Sequence, residues 1–377
     1  MPNQVDREGC VTAVRHLGGI SFIVLQNALH VYRIVCESFE CSLVAFNCMK
    51  RIRKGDYVSF SVILQNDEFH AVELLKHLRC RNCCRQSKLS SLLVPYGLMH
   101  AELRVILESL NYLETRLPTI HLGHRNGEIF PLDFFGIDAR LSSSNALHLD
   151  ACAMRFCRAF SIQHCFRAEH SKTRKHLAEF DMLEVASLET NLDELMTELE
   201  MLVKSLVKRI ALTEHSGILS NDVLSQTSRP FRRILYNDVA QDRGIGGRGL
   251  GRHEREIAKE GPIFVYGFPK TVASWTAERL EDGSTLSFNL LLPEVGEVAE
   301  GSIRSHNVME LHRKFSKLKL MNQLGWYLNS IPYSNCRTGG FGIGLERFAM
   351  WLFNRSNIRD FATFYRDTSF SELKNLK

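Results

Sequence analysis

The chain has 377 residues, of which 45% are hydrophobic and 24% are charged, and its formal net charge is +5. These values are ordinary for a globular protein, and no apolar run approaches the roughly 20 residues that a membrane helix needs. We expect no membrane association and no leader in segment 1–6. The length allows two domains, and the mild positive charge permits a nucleic-acid partner without requiring one.

The eleven cysteines are an odd number and are scattered through the chain, many in apolar contexts. Such cysteines favour reduced thiols over a disulfide framework, which predicts a cytoplasmic location. Cys80 and Cys83 form one C-x-x-C pair. A structural zinc ion needs four ligands and no second pair of this spacing follows, so we expect reduced thiols there rather than zinc.

Residues 1–78 predict a small β-barrel domain of the OB-fold type. Short runs rich in β-branched and aromatic residues are separated by turn signals such as Gly18-Gly19 and Lys54-Gly55-Asp56. Several short strands in fewer than about 80 residues are typical of such a barrel. The expected strands are 11–14, 20–25, 30–35 and 57–64.

Residues 79–98 predict a basic hinge linker, and the segment 76–90 contains no acidic residue. Its basic side chains are Lys76, Arg79, Arg81, Arg85 and Lys88. One interpretation is a solvated connector, and the other is a contact with a nucleic-acid backbone.

Residues 99–377 predict an α+β domain. Leucines and isoleucines from Leu103 to Leu113 recur at helical spacing and end before Pro118, and a second amphipathic helix covers 192–210. Strands before and after helices, without regular alternation, indicate an antiparallel sheet flanked by helices. The later expected elements are strands at 263–266, 273–278 and 286–292 and a closing helix at 345–354.

The segment 166–180, FRAEHSKTRKHLAEF, has strand-like ends and a polar centre. A strand, a basic loop and a second strand would bring Arg167, Lys172, Arg174, Lys175 and His176 together. Such a cluster suits a polyphosphate, because a guanidinium pairs bidentately with phosphate oxygens. From composition alone, a solvated charged loop is the alternative.

This segment resembles motif 2 of the class II aminoacyl-tRNA synthetases, in the asparaginyl/aspartyl subgroup, whose pattern is F-R-A-E-x-S-x-T-x-R-H-L-x-E-F. Residues 339–347, GGFGIGLER, resemble motif 3, and residues 110–118 resemble motif 1, which contributes to the family's dimer interface. Shorter resemblances to asparaginyl-type segments occur at 134–144, 253–255, 264–270 and 296–304. The barrel resembles the family's anticodon-binding domain, so the resemblance implies a homodimer and covers nearly the whole chain.

The resemblance implies an ATP-dependent, AMP-forming ligase in which Arg167 and Arg347 are the catalytic residues. Two fixed guanidinium groups would stabilise the charge that develops on a pentavalent phosphorus. Glu169 would recognise the adenine amino group, Phe180 would stack on the ring, and Glu297 would hold Mg²⁺. The implied ATP-binding residues are Arg167, Glu169, Lys175, His176, Leu177, Phe180, Glu297, Gly344, Leu345, Glu346 and Arg347.

The amino-acid half of the site departs from the family pattern. Ala146 stands where a glutamine would hold the α-amino group, Asn289 replaces an aspartate, and Glu300 replaces a small residue. The loop 121–128 is short, with His124 or Glu128 near the place of a family glutamate. The implied substrate-binding residues are Ser144, Ala146, Glu184, Glu300, Arg304, Thr338 and Gly340.

Glu184 and Arg304 remain where the family contacts the amino group and the side-chain amide, whereas Arg337-Thr338 replace a proline-histidine pair. Because each lost polar contact costs about 1–3 kcal/mol, the departures predict a changed or relaxed substrate. We therefore expect a divergent paralogue that activates asparagine, aspartate or a related carboxylic acid and joins it to an amine or another non-standard acceptor.

Two alternatives remain at this point. One is a genuine asparagine–tRNA ligase, and the other is a non-catalytic regulator that binds a nucleotide. Binding of tRNA stays open, because the barrel keeps Phe22 for base stacking but has Leu25-Gln26-Asn27 where the family has L-R-D.

Overall fold

The computed structural model describes residues 4–27, 30–39, 41, 43–65, 68–79, 83–122, 128–213, 216–304, 307–317, 320–331, 337–362 and 364–368. The chain forms two compact units that divide between Pro95 and Tyr96. Within these residues, no helix is both long and apolar enough to cross a membrane. Arg81, Cys80 and His124 lie outside the described residues, as do the side chains of Cys83, Arg85 and Lys88.

The first unit contains a closed five-stranded barrel in the order β1-β2-β3-β5-β4, with β4 pairing back to β1. Ile23, Leu25, Val58 and Phe60 fill its interior. The barrel and its four expected strands are confirmed. The elements are β1 (Val5–Leu17), β2 (Ile20–Asn27), β3 (His30–Glu37), α1 (Leu43–Met49), β4 (Tyr57–Gln65) and β5 (Glu68–Leu78).

Helix α2 (Cys83–Ser109) begins inside the segment that the sequence assigns to a hinge. The assignment of residues 79–98 as a hinge stays a prediction. Leu103, Ile106 and Leu107 are buried as the helical spacing predicts. The helix ends earlier than expected, because Asn111 adopts a positive φ of 61°, a conformation that a right-handed helix does not continue through.

The second unit is built on an eight-stranded sheet in the order β12-β13-β14-β15-β16-β11-β10-β6. Its central pairs are antiparallel, and the edge pairs β12–β13 and β6–β10 are parallel. The α+β fold is confirmed. The strands are β6 (Leu113–Glu114), β7 (Ile120–Leu122), β8 (Pro131–Phe134), β9 (Ile137–Leu141), β10 (Arg158–Phe166), β11 (Glu179–Leu188), β12 (Arg232–Leu235), β13 (Ile263–Tyr266), β14 (Ser287–Leu292), β15 (Gly296–Ile303) and β16 (Thr338–Gly344).

Two parts of this unit differ from the sequence prediction. The strand expected at 273–278 is absent, because this stretch forms turns and only a single bridge pairs Ala277 with Arg304. Strands β7, β9 and β8 form a separate small sheet. The helices of the unit are α3 (Ala146–Phe156), α4 (Leu192–Ala211), α5 (Asn221–Thr227), α6 (Tyr236–Arg243), α7 (Glu254–Ile257), α8 (Val308–Lys317), α9 (Met321–Ser330) and α10 (Leu345–Leu352).

Helix α4 covers one face of the large sheet and leaves the other face for a site. Its start has a capping box, in which Asn191 accepts from Glu194 N at 3.0 Å and the Glu194 carboxylate accepts from Asn191 N at 3.3 Å. Leu195 contacts the sheet at Gly339. Since side chains alternate along a strand, positions 340, 342 and 344 face away from α4.

Candidate active site

The face away from α4 carries a pocket with an empty volume of about 1100 Å³. It brings together most of the residues that the sequence predicts, including both arginines. The predicted residues that line it are Ser144, Ala146, Arg167, Glu169, Lys175, His176, Leu177, Phe180, Glu184, Glu297, Glu300, Arg304, Gly344, Glu346 and Arg347. Residues from three strands, two helices and the basic loop (residues 167–178) thus share one cavity.

Three predicted residues do not line the pocket. Leu345 and Thr338 are fully buried, Leu345 because it begins α10 with its side chain in the core. At Gly340 a Cβ would lie 2.0 Å from the carbonyl oxygen of Val185. A glycine is required there by the close approach of two strands, rather than by the approach of a ligand.

Several lining residues were missed by the sequence analysis. Met182 and Ser302 stand two residues from Glu184 and Glu300 in their strands, and the alternation of a strand could have identified them. Ser274 and Thr276 lie in the turns that replace the expected strand. That segment carried no signal for a role in the site.

Positive charge is concentrated at one end of the pocket. Arg347 donates from Nη1 to the carbonyl oxygen of Glu297 at 3.0 Å and from Nη2 to that of Lys175 at 3.4 Å. The Arg167 guanidinium lies 5.4 Å from the centroid of the Phe180 ring. Burial and then the charge of Arg255 lower the pKa of Lys175 to about 8. A polyanion would relieve this mutual repulsion of cations.

His176 lies in the same end of the pocket, and burial lowers the pKa of its ring. Its Nδ1 is 2.6 Å from the Thr173 hydroxyl and 2.9 Å from the Ser171 hydroxyl. When these hydroxyls donate to Nδ1, the proton of the neutral ring is on Nε2. That nitrogen is then a donor for a ligand oxygen.

A β-bulge determines where the acidic residues point. Leu290 pairs with Ala299, but Leu291 pairs with Glu297, so Val298 is an extra residue in β15. In an unbroken strand, Glu297 and Glu300 would face opposite sides of the sheet. The bulge turns both of them towards the pocket.

Glu297 is a buried carboxylate among other carboxylates. Burial, followed by the charges of Glu300 and Glu254, raises the pKa of Glu297 to about 7. Asn289 Nδ2 donates to its Oε2 at 2.5 Å. A nearby cation strongly favours the ionised form of a carboxyl group in such surroundings. The described residues contain no group of three or more His, Cys, Asp or Glu side chains arranged as a metal site.

Glu184 is held at the opposite end of the pocket by the start of α3. Ser144 Oγ donates to its Oε1 at 2.5 Å, and Asn145 N donates to its Oε2 at 2.8 Å. Burial raises the pKa of Glu184. In the strand register Glu184 is opposite Gly342, which is opposite Glu300. A Cβ at Gly342 would lie 2.9 Å from Cε of Met182, so the absence of a side chain there makes room for Met182 between the two strands.

Arg304 forms a buried ion pair beside Glu184. Its Nε donates to Asp150 Oδ2 at 3.2 Å, its Nη1 donates to Ser302 Oγ, and Tyr327 OH donates to Asp150 Oδ2 at 3.4 Å. Burial raises the pKa of Asp150, and Arg304 opposes that rise. Asp150 therefore balances the charge of Arg304, which faces the pocket. The sequence analysis missed Asp150.

Glu346 lines the pocket but is engaged with the sheet. Both of its carboxylate oxygens accept from Asp181 N, at 2.9 and 3.1 Å. Burial and then the charge of Asp181 raise the pKa of Glu346 to about 8. Asp181 itself accepts from Tyr96 OH at 3.1 Å and lies 2.8 Å from His164 Nδ1. Glu346 thus supports the floor of the pocket.

The family model for class II tRNA synthetases (D, K and N) matches residues 72–368. The chain belongs to this family. The asparagine–tRNA ligase of Malacoplasma penetrans is 28% identical over 372 residues, which cover 88% of this chain and 80% of that protein. The human cytoplasmic asparagine–tRNA ligase is 31% identical over 277 residues, which cover 68% of this chain and 50% of the human protein. The chain thus spans about half the length of the first curated relatives.

Solved structures of this family share the fold. Asparaginyl-tRNA synthetase from Pyrococcus horikoshii, complexed with asparaginyl-adenylate, superimposes with a TM-score of 0.83 at 24% identity, covering 98% of this chain and 96% of that chain. Aspartyl-tRNA synthetase from Entamoeba histolytica gives a TM-score of 0.68 at 17% identity, covering 98% and 90%. The expected family and its barrel-plus-sheet architecture are therefore confirmed.

Proposed function

We propose that this protein activates asparagine with ATP and transfers it to tRNA. The first relatives by sequence and by structure are asparagine–tRNA ligases. They favour this alternative over the divergent paralogue that the substitutions in the amino-acid half suggested. The observation that carries the proposal is that Arg167 and Arg347 line one pocket together with Glu184 and Arg304.

Activation requires an in-line displacement at the α-phosphorus of ATP. The substrate carboxylate attacks this phosphorus, a carboxyl–phosphate bond forms, and pyrophosphate leaves. Arg167 and Arg347 offset the charge on the transferring group, and Lys175 and His176 bind the terminal phosphates. Phe180 stacks on the adenine. The ribose hydroxyl of tRNA then attacks the carbonyl carbon, and AMP leaves.

The carboxylates around Glu297, at the same end of the pocket as Arg347, fit Mg²⁺. This ion keeps several waters and takes few protein oxygens besides substrate phosphates. Glu297, turned inwards by the bulge and crowded by Glu300 and Glu254, would be such an oxygen ligand. When bound, the ion neutralises phosphate charge. Glu300 lies on the same face and would be a second ligand for the ion.

The charge balance of the pocket favours asparagine over aspartate. Asp150 neutralises Arg304, so a neutral carboxamide adds no uncompensated charge. An aspartate side chain would add a negative charge near Glu184 and Glu300, in a region where water screens little. Glu184 would pair with the α-ammonium group.

We also propose that the protein is a cytoplasmic homodimer that binds tRNA through its barrel. Leu113, Ile120, Leu122 and Ile137 are exposed apolar side chains on β6, β7 and β9, and the motif 1 segment contains Leu113. Phe22 is exposed on the barrel. The cysteines that the structure describes are free thiols, which supports a reducing compartment.

The proposal is tested by ATP–pyrophosphate exchange with asparagine, aspartate and the other standard amino acids, followed by charging of an asparagine tRNA transcript. We expect exchange with asparagine and charging of the transcript. Exchange without charging would favour the paralogue, which the alanine at 146 supports. The absence of exchange with every amino acid would favour the non-catalytic regulator.

A further inference from the structure

The segment 243–255, RGIGGRGLGRHER, connects α6 to α7 and is rich in glycine and arginine. Gly246 and Gly247 have positive φ angles of 51° and 70°. Nothing lies within 4 Å of where a Cβ would be at either position. The glycines are therefore required by the backbone path rather than by packing.

This glycine–arginine segment has a fixed place on the protein. Ile245 and Leu250 are buried in a core that includes Tyr236 and Ile257. Tyr236 OH donates to the carbonyl oxygen of Arg248 at 2.5 Å. The segment is thus anchored through its apolar residues and presents its arginines to solvent.

Arg248, Arg252 and Arg255 are exposed. Across the described residues, none of the three forms an ion pair with a carboxylate. The nearby acidic side chains are already engaged. Glu256 pairs with Arg243 at 2.8 Å, Glu260 pairs with Arg232 at 2.9 Å, and Glu254 accepts from Glu297 N at 3.0 Å. The segment therefore carries uncompensated positive charge.

The segment meets the basic loop beside the phosphate end of the pocket. The bond from Glu297 N to Glu254 joins α7 to the start of β15. Arg255 is close enough to Lys175 to lower the pKa of that lysine, and Lys175 donates to the carbonyl oxygen of Val295. Lys172 and Arg174 of the basic loop are also exposed. We call the exposed cations of the segment and of the basic loop the basic rim, in which Arg255 is the member that lies beside the pocket-lining Lys175.

We propose that the glycine–arginine segment binds the sugar–phosphate backbone of the single-stranded 3′ end of tRNA. This inference rests on the proposed function, in which a ribose hydroxyl must reach the adenylate inside the pocket. The RNA strand therefore has to cross the rim. Guanidinium groups pair bidentately with phosphates, and a glycine backbone lets a strand approach closely.

The test uses the full chain with three charge reversals, Arg248→Glu, Arg252→Glu and Lys208→Glu. Lys208 is the matched control, because it is exposed on α4, which covers the opposite face of the sheet. The probes are an asparagine tRNA transcript and the same transcript without its last four 3′ nucleotides. Dissociation constants are measured over a range of salt concentrations, and ATP–pyrophosphate exchange is measured in parallel.

We expect each arginine reversal to weaken binding of the complete transcript roughly five- to tenfold and to reduce the salt slope by about 1. Lys208→Glu should stay within about twofold of the unmodified protein. The shortened transcript should bind all four proteins alike, and exchange should not change.

Equal affinity of the unmodified protein and the arginine variants for the complete transcript would overturn the proposal. So would an equal loss with Lys208→Glu, which would indicate a bulk charge effect, or an equal loss with the shortened transcript, which would place the contact elsewhere on the RNA. Absence of ATP–pyrophosphate exchange in the unmodified protein would instead contradict the proposed function. Failure of the RNA-binding proposal and failure of the proposed function are therefore distinguishable.

Discussion

Arg167 and Arg347 face the same pocket, the first directly after β10 and the second in the first turn of α10. Arg167 lies over the Phe180 ring, and Arg347 holds the basic loop to β15 through the carbonyl oxygens of Lys175 and Glu297. The two guanidiniums are therefore positioned by independent elements. Such preorganised charge is what a phosphoryl transition state requires.

Asp150→Asn should weaken the preference for asparagine over aspartate. The change leaves the Arg304 charge unbalanced, so an aspartate side chain can neutralise it. We expect the ratio of kcat/KM for the two amino acids in exchange to fall by about tenfold or more. Tyr327→Phe is the control, because it removes a donor to Asp150 without changing the charge. An unchanged ratio in Asp150→Asn would contradict this account of specificity.

Ala146→Gln should lower KM for asparagine. A glutamine at this place in the pocket would add a hydrogen bond to the charged α-ammonium group, a contact worth roughly 1.5 kcal/mol, or about tenfold. Ala146→Leu has similar bulk without polar atoms and should not lower KM. Steady-state exchange kinetics measure both. A glutamine variant no better than the leucine variant would show that the ammonium group is held elsewhere.

Glu346→Gln should flatten the pH dependence of stability. The pKa of Glu346 in the folded protein is raised to about 8, above the unfolded value near 4.5. The stabilisation that its bound proton provides is therefore complete below about pH 4.5, and it is lost as pH rises through 8. Between these values the unfolding free energy should fall by roughly 1 kcal/mol per pH unit through this group. Urea denaturation at pH 5, 7 and 9 measures the slope, and a variant with the original slope would refute the assignment.

Leu113→Glu should separate the proposed homodimer. Leu113 is 46% exposed on β6, and a carboxylate there would be buried against a partner at a cost of several kcal/mol. Sedimentation velocity should show a monomer for this variant. Leu212→Glu, at a position that is 80% exposed beyond α4, should leave the dimer intact. If Leu113→Glu sediments like the unmodified protein, the interface lies elsewhere.

The residues whose positions the sequence predicted correctly are those whose chemical type and local sequence pattern indicate the same structure. The segment 166–180 has strand-like ends around a cluster of cations, so a β hairpin bringing Arg167 and Lys175 to one site was predictable. The Asn191–Glu194 capping spacing similarly predicted the start of α4. In both cases the signal lies within a few residues of the structure that it specifies.

The features that sequence missed depend on contacts between distant segments. Asp150 sits in an ordinary amphipathic helix, and only its contact with Arg304 reveals its role. The bulge that turns Glu297 inwards depends on the register between β14 and β15. The composition of residues 273–278 is typical of a strand, but within this stretch only Ala277 forms a β-pairing, in a single bridge to Arg304.

The most direct test of the account is asparagine-dependent ATP–pyrophosphate exchange by Arg167→Ala. Arg174→Ala is the matched control, because Arg174 is an exposed arginine of the same loop that does not line the pocket. We predict that Arg167→Ala loses at least about a hundredfold in exchange rate while its thermal unfolding stays close to that of the unmodified protein, and that Arg174→Ala retains activity. A folded Arg167→Ala protein with undiminished exchange would contradict the assignment of the pocket as the site of adenylate formation.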